Sequence, residues 1–250
     1  NKVVRAYKDG GNANYGTAIV GTVSGTSISF GTAVVFEAAT STYTSATFDS
    51  NANKVVIAYR DDGNSQYGTA IVGTVSGTSI SFGTAVVFNS VSTSDISTTF
   101  DSTNNKVVIS YTSSVAGSGT VITGTVSGTS ISFDSALVFD TYGTFSSATF
   151  DSNANKVVIA YRNTSTYGTG IVFTVPTTNN TSFIGITDAA ISSAASGSVT
   201  IKGGISSNVS SLTPNATYYV QADGTLATTT STVLAGKALS STSINLDYTT

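Results

Sequence analysis

The chain repeats itself over more than half its length. The phrase SATFDSNANKVVIAYR, Ser45 to Arg60, returns as STTFDSTNNKVVISYT from Ser97 to Thr112 and, unchanged, from Ser147 to Arg162. A second phrase, YGTAIVGTVSGTSISFGTAVVF, runs from Tyr15 to Phe36 and again from Tyr67 to Phe88. A diverged copy, GSGTVITGTVSGTSISFDSALVF, ends at Phe139. Lys2, Lys54, Lys106 and Lys156 mark one place in each copy, so the period is 52, 52 and then 50 residues. A repeat of this length is one supersecondary unit that buries its faces against its neighbours. It points to a scaffold, an assembly or a binding surface sooner than to a lone active site.

Each unit divides into four short runs of β-forming residues. In the second copy they are Ser45–Asp49, Lys54–Arg60, Thr69–Ser76 and Thr78–Phe88, the last with an expected bend at Gly83. Asp49-Ser50-Asn51-Ala52-Asn53 and Asp61-Asp62-Gly63-Asn64 are turn sequences, and Ser76-Gly77 marks a tight hairpin. Nothing in the repeats has helical periodicity. Val55, Ile57 and Tyr59 are large on one face, whereas Val56 and Ala58 are smaller on the other. Ile71 and Val75 share a face with Gly73, and Ala70 and Val72 lie opposite. Neither face is polar, so both need cover. Tandem four-stranded antiparallel sheets, stacked so that small residues meet large ones, supply it. That is the pattern of β-propeller blades. A row of sheets along a fibre, or a β-prism shared by several chains, satisfies it equally.

The repeats fill residues 1–176 as approximate units 1–44, 45–94, 95–144 and 145–176. The first lacks the SATFD run, and the fourth exchanges its last hairpin for PTTNNTSFIGI around Pro176. About three and a half units result, fewer than most closed propellers hold. An uncompleted sheet edge is a place for association. The chain opens at Asn1 inside a repeat, the pattern of a processed product, a fragment, or the ordered part of something longer.

Composition narrows the function classes. Charged residues are 9% of the chain and the net charge is −3, with seven Lys, three Arg and no basic cluster. Nucleic acid is therefore not an expected partner, because phosphate binding needs clustered Lys and Arg. Cys, His, Met and Trp are absent. Zinc, haem and iron–sulfur centres lose their usual ligands, and no cofactor is expected. No apolar run reaches the length of a membrane-spanning helix. The hydrophobic content of 40%, rich in Val, Ile, Tyr and Phe, marks a folded β chain and not a disordered linker.

From about Thr177 to Thr250 the rhythm changes, and a small β-sandwich or barrel is expected, serving assembly or attachment. Ser198–Ile201, Thr217–Val220, Val233–Ser240 and Ser243–Leu246 read as strands, and Gln221–Leu226 as a hairpin with Asp223-Gly224 at its tip. The series FIGIT, LTPNATYYVQADGTL and AGKALSSTSINL resembles a small β-module near the C-termini of tail-fibre and other virion structural proteins of tailed bacteriophages. FDSNANKVVIAYR and YGTAIVGTVSGTSISFG likewise resemble repeats in structural proteins of aquatic phages. The resemblance implies an extracellular or virion-surface part that assembles as a homo-oligomer. It carries over no catalytic residue.

Candidate sites are few. Asp49, Asn51 and Asn53 have the spacing of a calcium loop, and Asp151, Asn153 and Asn155 repeat it. Lys54 stands where a glycine is needed, the distal Glu is missing, and Thr103 replaces the middle Asn in the third copy. A hairpin loop whose Asp and Asn bond their own backbone explains the pattern better. Asp61 and Asp62 beside Arg60 suggest paired carboxylates. However, the other copies carry Asp9 and Gly10, Ser113 and Ser114, or Asn163 and Thr164 there, which fits a solvated hairpin tip. A sialidase-like arginine cluster is not expected from Arg5, Arg60 and Arg162. Tyr7, Tyr59, Tyr111 and Tyr161 recur at one strand position, and Tyr15, Tyr67 and Tyr167 at another. They can stack on sugars, but packing between units is the stronger reading. Asn163, Asn180, Asn208 and Asn215 begin glycosylation sequons, several of which chance supplies in so Ser- and Thr-rich a chain.

The expectation is thus a non-enzymatic structural protein with no catalytic, cofactor or metal site. It self-associates in an extracellular assembly, foremost a phage tail fibre or appendage. The alternatives are the protomer of a bacterial surface filament or adhesin, and a carbohydrate-binding β-repeat module for cell-surface glycans.

Overall fold

The computed structural model describes residues 1–175, 185–190, 196–201, 203–221, 225–228 and 233–246. The protein is all-β, with no helix among these residues. It divides into two units, Asn1–Val175 and Pro176–Thr250. Pro176, Phe183, Ile184, the sequon at Asn180 and the hairpin tip at Asp223-Gly224 lie outside the described residues.

The first copy supplies β1 (Lys2–Asp9), β2 (Tyr15–Ser24) and β3 (Ser27–Phe30), and runs into β4 (Val34–Asp49). The second supplies β5 (Lys54–Asp61), β6 (Tyr67–Ser76) and β7 (Ser79–Phe82), and runs into β8 (Val86–Asp101). The third supplies β9 (Lys106–Ser113), β10 (Ser118–Ser127), β11 (Ser130–Phe133) and β12 (Leu137–Asp140). β5 lies between β4 and β6, and the far edge of β6 takes β7 at one end and β8 at the other. Residues 83–85 break the run between β7 and β8, the bend expected at Gly83. The hairpin from β6 to β7 turns on Gly77, whose φ of +61° suits the tight turn.

β4 and β8 are each shared by two copies. Val34–Thr40 of β4 pairs with β2, and Ser41–Asp49 pairs with β5. Val86–Ser92 of β8 pairs with β6, and Thr93–Asp101 pairs with β9. The expected unit limits at 44/45 and 94/95 therefore fall inside continuous strands. The chain changes sheets by bulging, with no turn. Tyr43 (φ 50°) and Asp95 (φ 51°) sit in the left-handed region where the register skips from Thr42 to Ser45 and from Ser94 to Ser97. A residue in that conformation at the start of a bulge bends the strand. Twelve strands thus join into one antiparallel sheet that does not close into a barrel. The fourth copy forms a separate three-stranded sheet of β13 (Thr144–Asp151), β14 (Lys156–Arg162) and β15 (Gly168–Phe173), with the same bulge at Phe145 (φ 53°).

The copies pack face to face, and their two faces differ as the side-chain sizes dictate. Val55, Ile57, Tyr59 and Ile71 of the second copy bury against Ala18, Val20 and Phe36 of the first. Val56, Ala58, Ala70, Val72 and Phe88 of the second bury against Val107, Ile109 and Tyr111 of the third. Val108, Val121 and Phe139 of the third bury against Val157, Ile159 and Tyr161 of the fourth. The large face of each copy thus meets the small face of the one before it. Serines tie the layers at the strand that opens each copy. The Thr98 N–H donates to Ser45 Oγ at 3.0 Å, and the Ala148 N–H donates to Ser97 Oγ at 3.0 Å.

The second unit holds β16 (Gly185–Thr187), β17 (Val199–Ile201), β18 (Ile205–Ser206), β19 (Thr217–Val220), β20 (Leu226–Ala227), β21 (Leu234–Ser240) and β22 (Ser243–Leu246). β16 pairs with β17, and the rest form a five-stranded sheet in the order β18–β22–β21–β19–β20. Its core gathers Leu212, Tyr218, Val220, Ala235, Ala238, Ile244 and Leu246. The Tyr218 hydroxyl accepts from the Thr213 N–H at 2.9 Å, which fastens the Leu212–Asn215 turn to the sheet.

Candidate functional site

The calcium-like loops are closed on themselves. Asp49 Oδ1 accepts the N–H groups of Asn51 and Ala52 at 2.9 and 2.8 Å. Asp101 does the same for Thr103 and Asn104, and Asp151 for Asn153 and Ala154. Asn53, Asn105 and Asn155 close each loop with φ of 53–54°. These are Asp–backbone turns finished by an Asn in the left-handed region. No group of three or more Asp or Glu side chains suited to a metal occurs among the described residues.

The acidic hairpin tip is likewise engaged in its own geometry. Asp61 Oδ1 accepts the N–H groups of Gly63 and Asn64, and Asp62 Oδ1 pairs with Arg60 Nε at 2.7 Å. The three arginines do not converge. Arg60 stacks on Tyr43 at 5.0 Å, Arg162 on Phe145 at 4.7 Å, and Arg5 on Tyr7 at 4.8 Å. The first two lie on the aromatic residues of the bulges. Of the sequons, Asn163 Oδ1 accepts from Ser165 and Tyr167, and Asn208 Nδ2 donates to Thr187 O. Asn215 is exposed with φ +66°.

Tyr59, Tyr111 and Tyr161 are buried, which assigns them to packing between copies and not to sugar stacking. Burial pushes the Tyr111 hydroxyl up to about 12. The Tyr59 hydroxyl, raised still further by burial and by the adjacent Glu37 carboxylate, donates to Glu37 Oε2 at 3.1 Å. Tyr7, in the first copy, is only half-buried, and Tyr167, in the fourth, is exposed.

Tyr7 belongs to a surface that the interior copies keep covered, and the fourth copy carries a second such surface. On the large face of the first copy, Val3, Val23, Ile28 and Phe30 are all exposed. Arg5 occupies the position held by the fully buried Ile57, Ile109 and Ile159 in the other copies. On the small face of the fourth copy, Ala160, Gly170 and Val172 are exposed where Ala58, Ala70 and Val72 are fully buried in the second. The two surfaces are the unmatched halves of an interface that occurs three times inside the unit. A groove of about 480 Å³ lies between the first and second copies, lined by Val4, Ala46, Thr47, Phe48 and Val55 among others. Sequence reasoning named the incomplete edge of the first unit but neither of these faces, because each face is defined by cover that is missing and not by residues that differ. The one signal available was Arg5 in place of Ile.

No protein-family model matches the chain, and no curated protein matches it either. No helix among the described residues is long and apolar enough to cross a membrane.

Proposed function

We propose that this chain is a structural, non-enzymatic component of an extracellular homo-oligomeric assembly, a phage tail fibre or appendage being the reading its motifs favour. The observation that carries the proposal is the exposure of both halves of the internal sheet-to-sheet interface. Exposed apolar patches of this kind mark association surfaces. A surface on one copy that fits a different surface on the next makes a head-to-tail contact, which builds rings or fibres. Arg5 stacked on Tyr7 within the first surface suits a separable contact, since Arg and aromatic residues are enriched in such interfaces. The repeats act as a rigid spacer or display surface, and the C-terminal unit serves assembly or attachment. The carbohydrate-binding reading draws less support, because Tyr59, Tyr111 and Tyr161 are buried and Tyr7, Tyr15 and Tyr67 are half-buried.

Electron microscopy of the purified chain tests the proposal. Discrete particles of defined copy number are expected for a fibre tip, and indefinite filaments would move the reading to a surface filament. A field of single, unassociated chains at high concentration would overturn it.

A further inference from the structure

Among the described residues, β1 has one neighbour in its sheet, β2. Its counterparts β5, β9 and β14 each carry a second strand on the other edge: Ser45–Asp49, Ser97–Asp101 and Ser147–Asp151. All three have the pattern Ser-small-Thr-Phe-Asp, and all take the same register. Phe48 lies opposite Val55, Thr47 opposite Val56, and Ser45 opposite Ala58. Transferred to β1, that register sets Phe against Val3, Thr against Val4, Ser against Ala6, and Asp against Lys2.

The groove beside β1 has the features such a strand would meet. In the interior copies, the opening strand turns its Ser toward the next copy, where the Oγ accepts an N–H from Thr98 or Ala148. The equivalent residue in the second copy is Ala46, which lines the groove with no serine across from it. Phe48 is 53% exposed, whereas its counterpart Phe100 is 9% exposed beneath the second copy. The difference is the layer that Ser45–Asp49 contributes over Phe100 and that nothing described contributes over Phe48. The Thr of an added strand would face Phe48, and its Phe would join the exposed Val3 on the opposite face.

We infer that the free edge of β1 is the seat of one extended strand of the Ser-small-Thr-Phe-Asp class, supplied by another unit of this repeat and clamped between β1 and Ala46–Phe48. The strand adds backbone hydrogen bonds along β1, fills the groove, and gives the Ala46 N–H a serine oxygen. The occupant is fixed by continuity with the two internal interfaces that contain the same strand and the same serine contact. This inference rests on the assembly reading above and names one of its joints.

A nonapeptide with the sequence of Thr42–Ser50, TYTSATFDS, is the probe. Titrated into the intact chain, it is expected to bind and to slow hydrogen exchange along Lys2–Tyr7 and at Ala46. A peptide with Ala in place of its Ser45-equivalent should bind about fivefold more weakly, the worth of one hydrogen bond. A scrambled peptide should not bind. Failure of the parent peptide to bind at millimolar concentration, equal binding by the scrambled peptide, or protection confined to other strands would overturn the inference. If the peptide fails while the chain still assembles, the seat at β1 is wrong and the assembly reading survives.

Discussion

The ring of Phe88 stands 5.2 Å, centre to centre, from the ring of Tyr111, and so joins the second copy to the third. The same pair recurs as Phe36 with Tyr59 at 5.1 Å and Phe139 with Tyr161 at 4.9 Å. Tilted aromatic pairs at this distance add stabilisation beyond the area they bury. Each Phe ring also closes on a glycine of its own copy. A Cβ on Gly68 would come within 2.5 Å of the Phe88 ring. The glycine in YGT is therefore the floor of the contact.

Phe88→Ala should lower unfolding stability by about 3 kcal/mol or more, the usual cost of emptying a buried aromatic site. It removes contacts to Tyr111, to Phe133 and to the glycine floor at once. Denaturant titration against the parent chain gives the value. A loss below about 1 kcal/mol would show that the copies do not depend on this ring for cohesion.

Gly83 and Asp134 occupy one position in successive copies, each donating its N–H to the strand beside it. A Cβ on Gly83 would fall 1.9 Å from Thr129 O, in the hairpin of the third copy. The fourth copy lacks the SGTSISF phrase that forms this hairpin in the others, and Asp134 is accommodated in the third copy, paired with Lys106 at 2.9 Å. Gly83→Asp should therefore destabilise by several kcal/mol, as steric overlap with backbone does. Asp134→Gly should cost less than about 1 kcal/mol, because the ion pair is partly exposed and screened. Equal effects would contradict the stacking of hairpin on neighbouring copy.

Much of this architecture was legible in the residues. Val-, Ile- and Tyr-rich runs between Asp-, Asn- and Gly-rich turns located the strands, and the alternation of Ile57 with Ala58 announced which faces would meet. The shared strands β4 and β8 were not legible. They depend on left-handed φ at Tyr43 and Asp95, a conformation uncommon outside glycine and one that the bulky Tyr43 gives no sign of adopting. Nor was the contact of Tyr59 with Glu37, which are distant in sequence and meet only when one copy docks on another. The open edge of β1 was legible in the SATFD run that the first copy lacks, but the lining of the groove beside it was not, since every residue there has an ordinary counterpart elsewhere.

Glu37 supplies a pH test. Burial, with the Asp61 charge, raises its carboxyl above the ordinary 4.5, partly offset by the Tyr59 hydroxyl. A carboxyl that holds its proton more tightly when folded favours folding at low pH. That contribution is complete below the unfolded value and is lost as pH rises through the folded one. Glu37→Gln, which keeps an acceptor for Tyr59, should thus be more stable than the parent at pH 7 and equal to it at about pH 3. Thermal midpoints at the two pH values measure it. A variant less stable at pH 7 would mean that the charged form is preferred in the fold.

The central claim is that the uncovered faces of the first and fourth copies associate. Sedimentation velocity of the chain across a wide concentration range tests it most directly, with Phe30→Asp as a variant that charges the exposed large face of the first copy. The parent should move from 25.3 kDa toward larger species as concentration rises, and the variant should remain at 25.3 kDa while keeping its β circular dichroism. A parent chain that stays at 25.3 kDa throughout, or a variant that assembles as readily as the parent, would contradict the account.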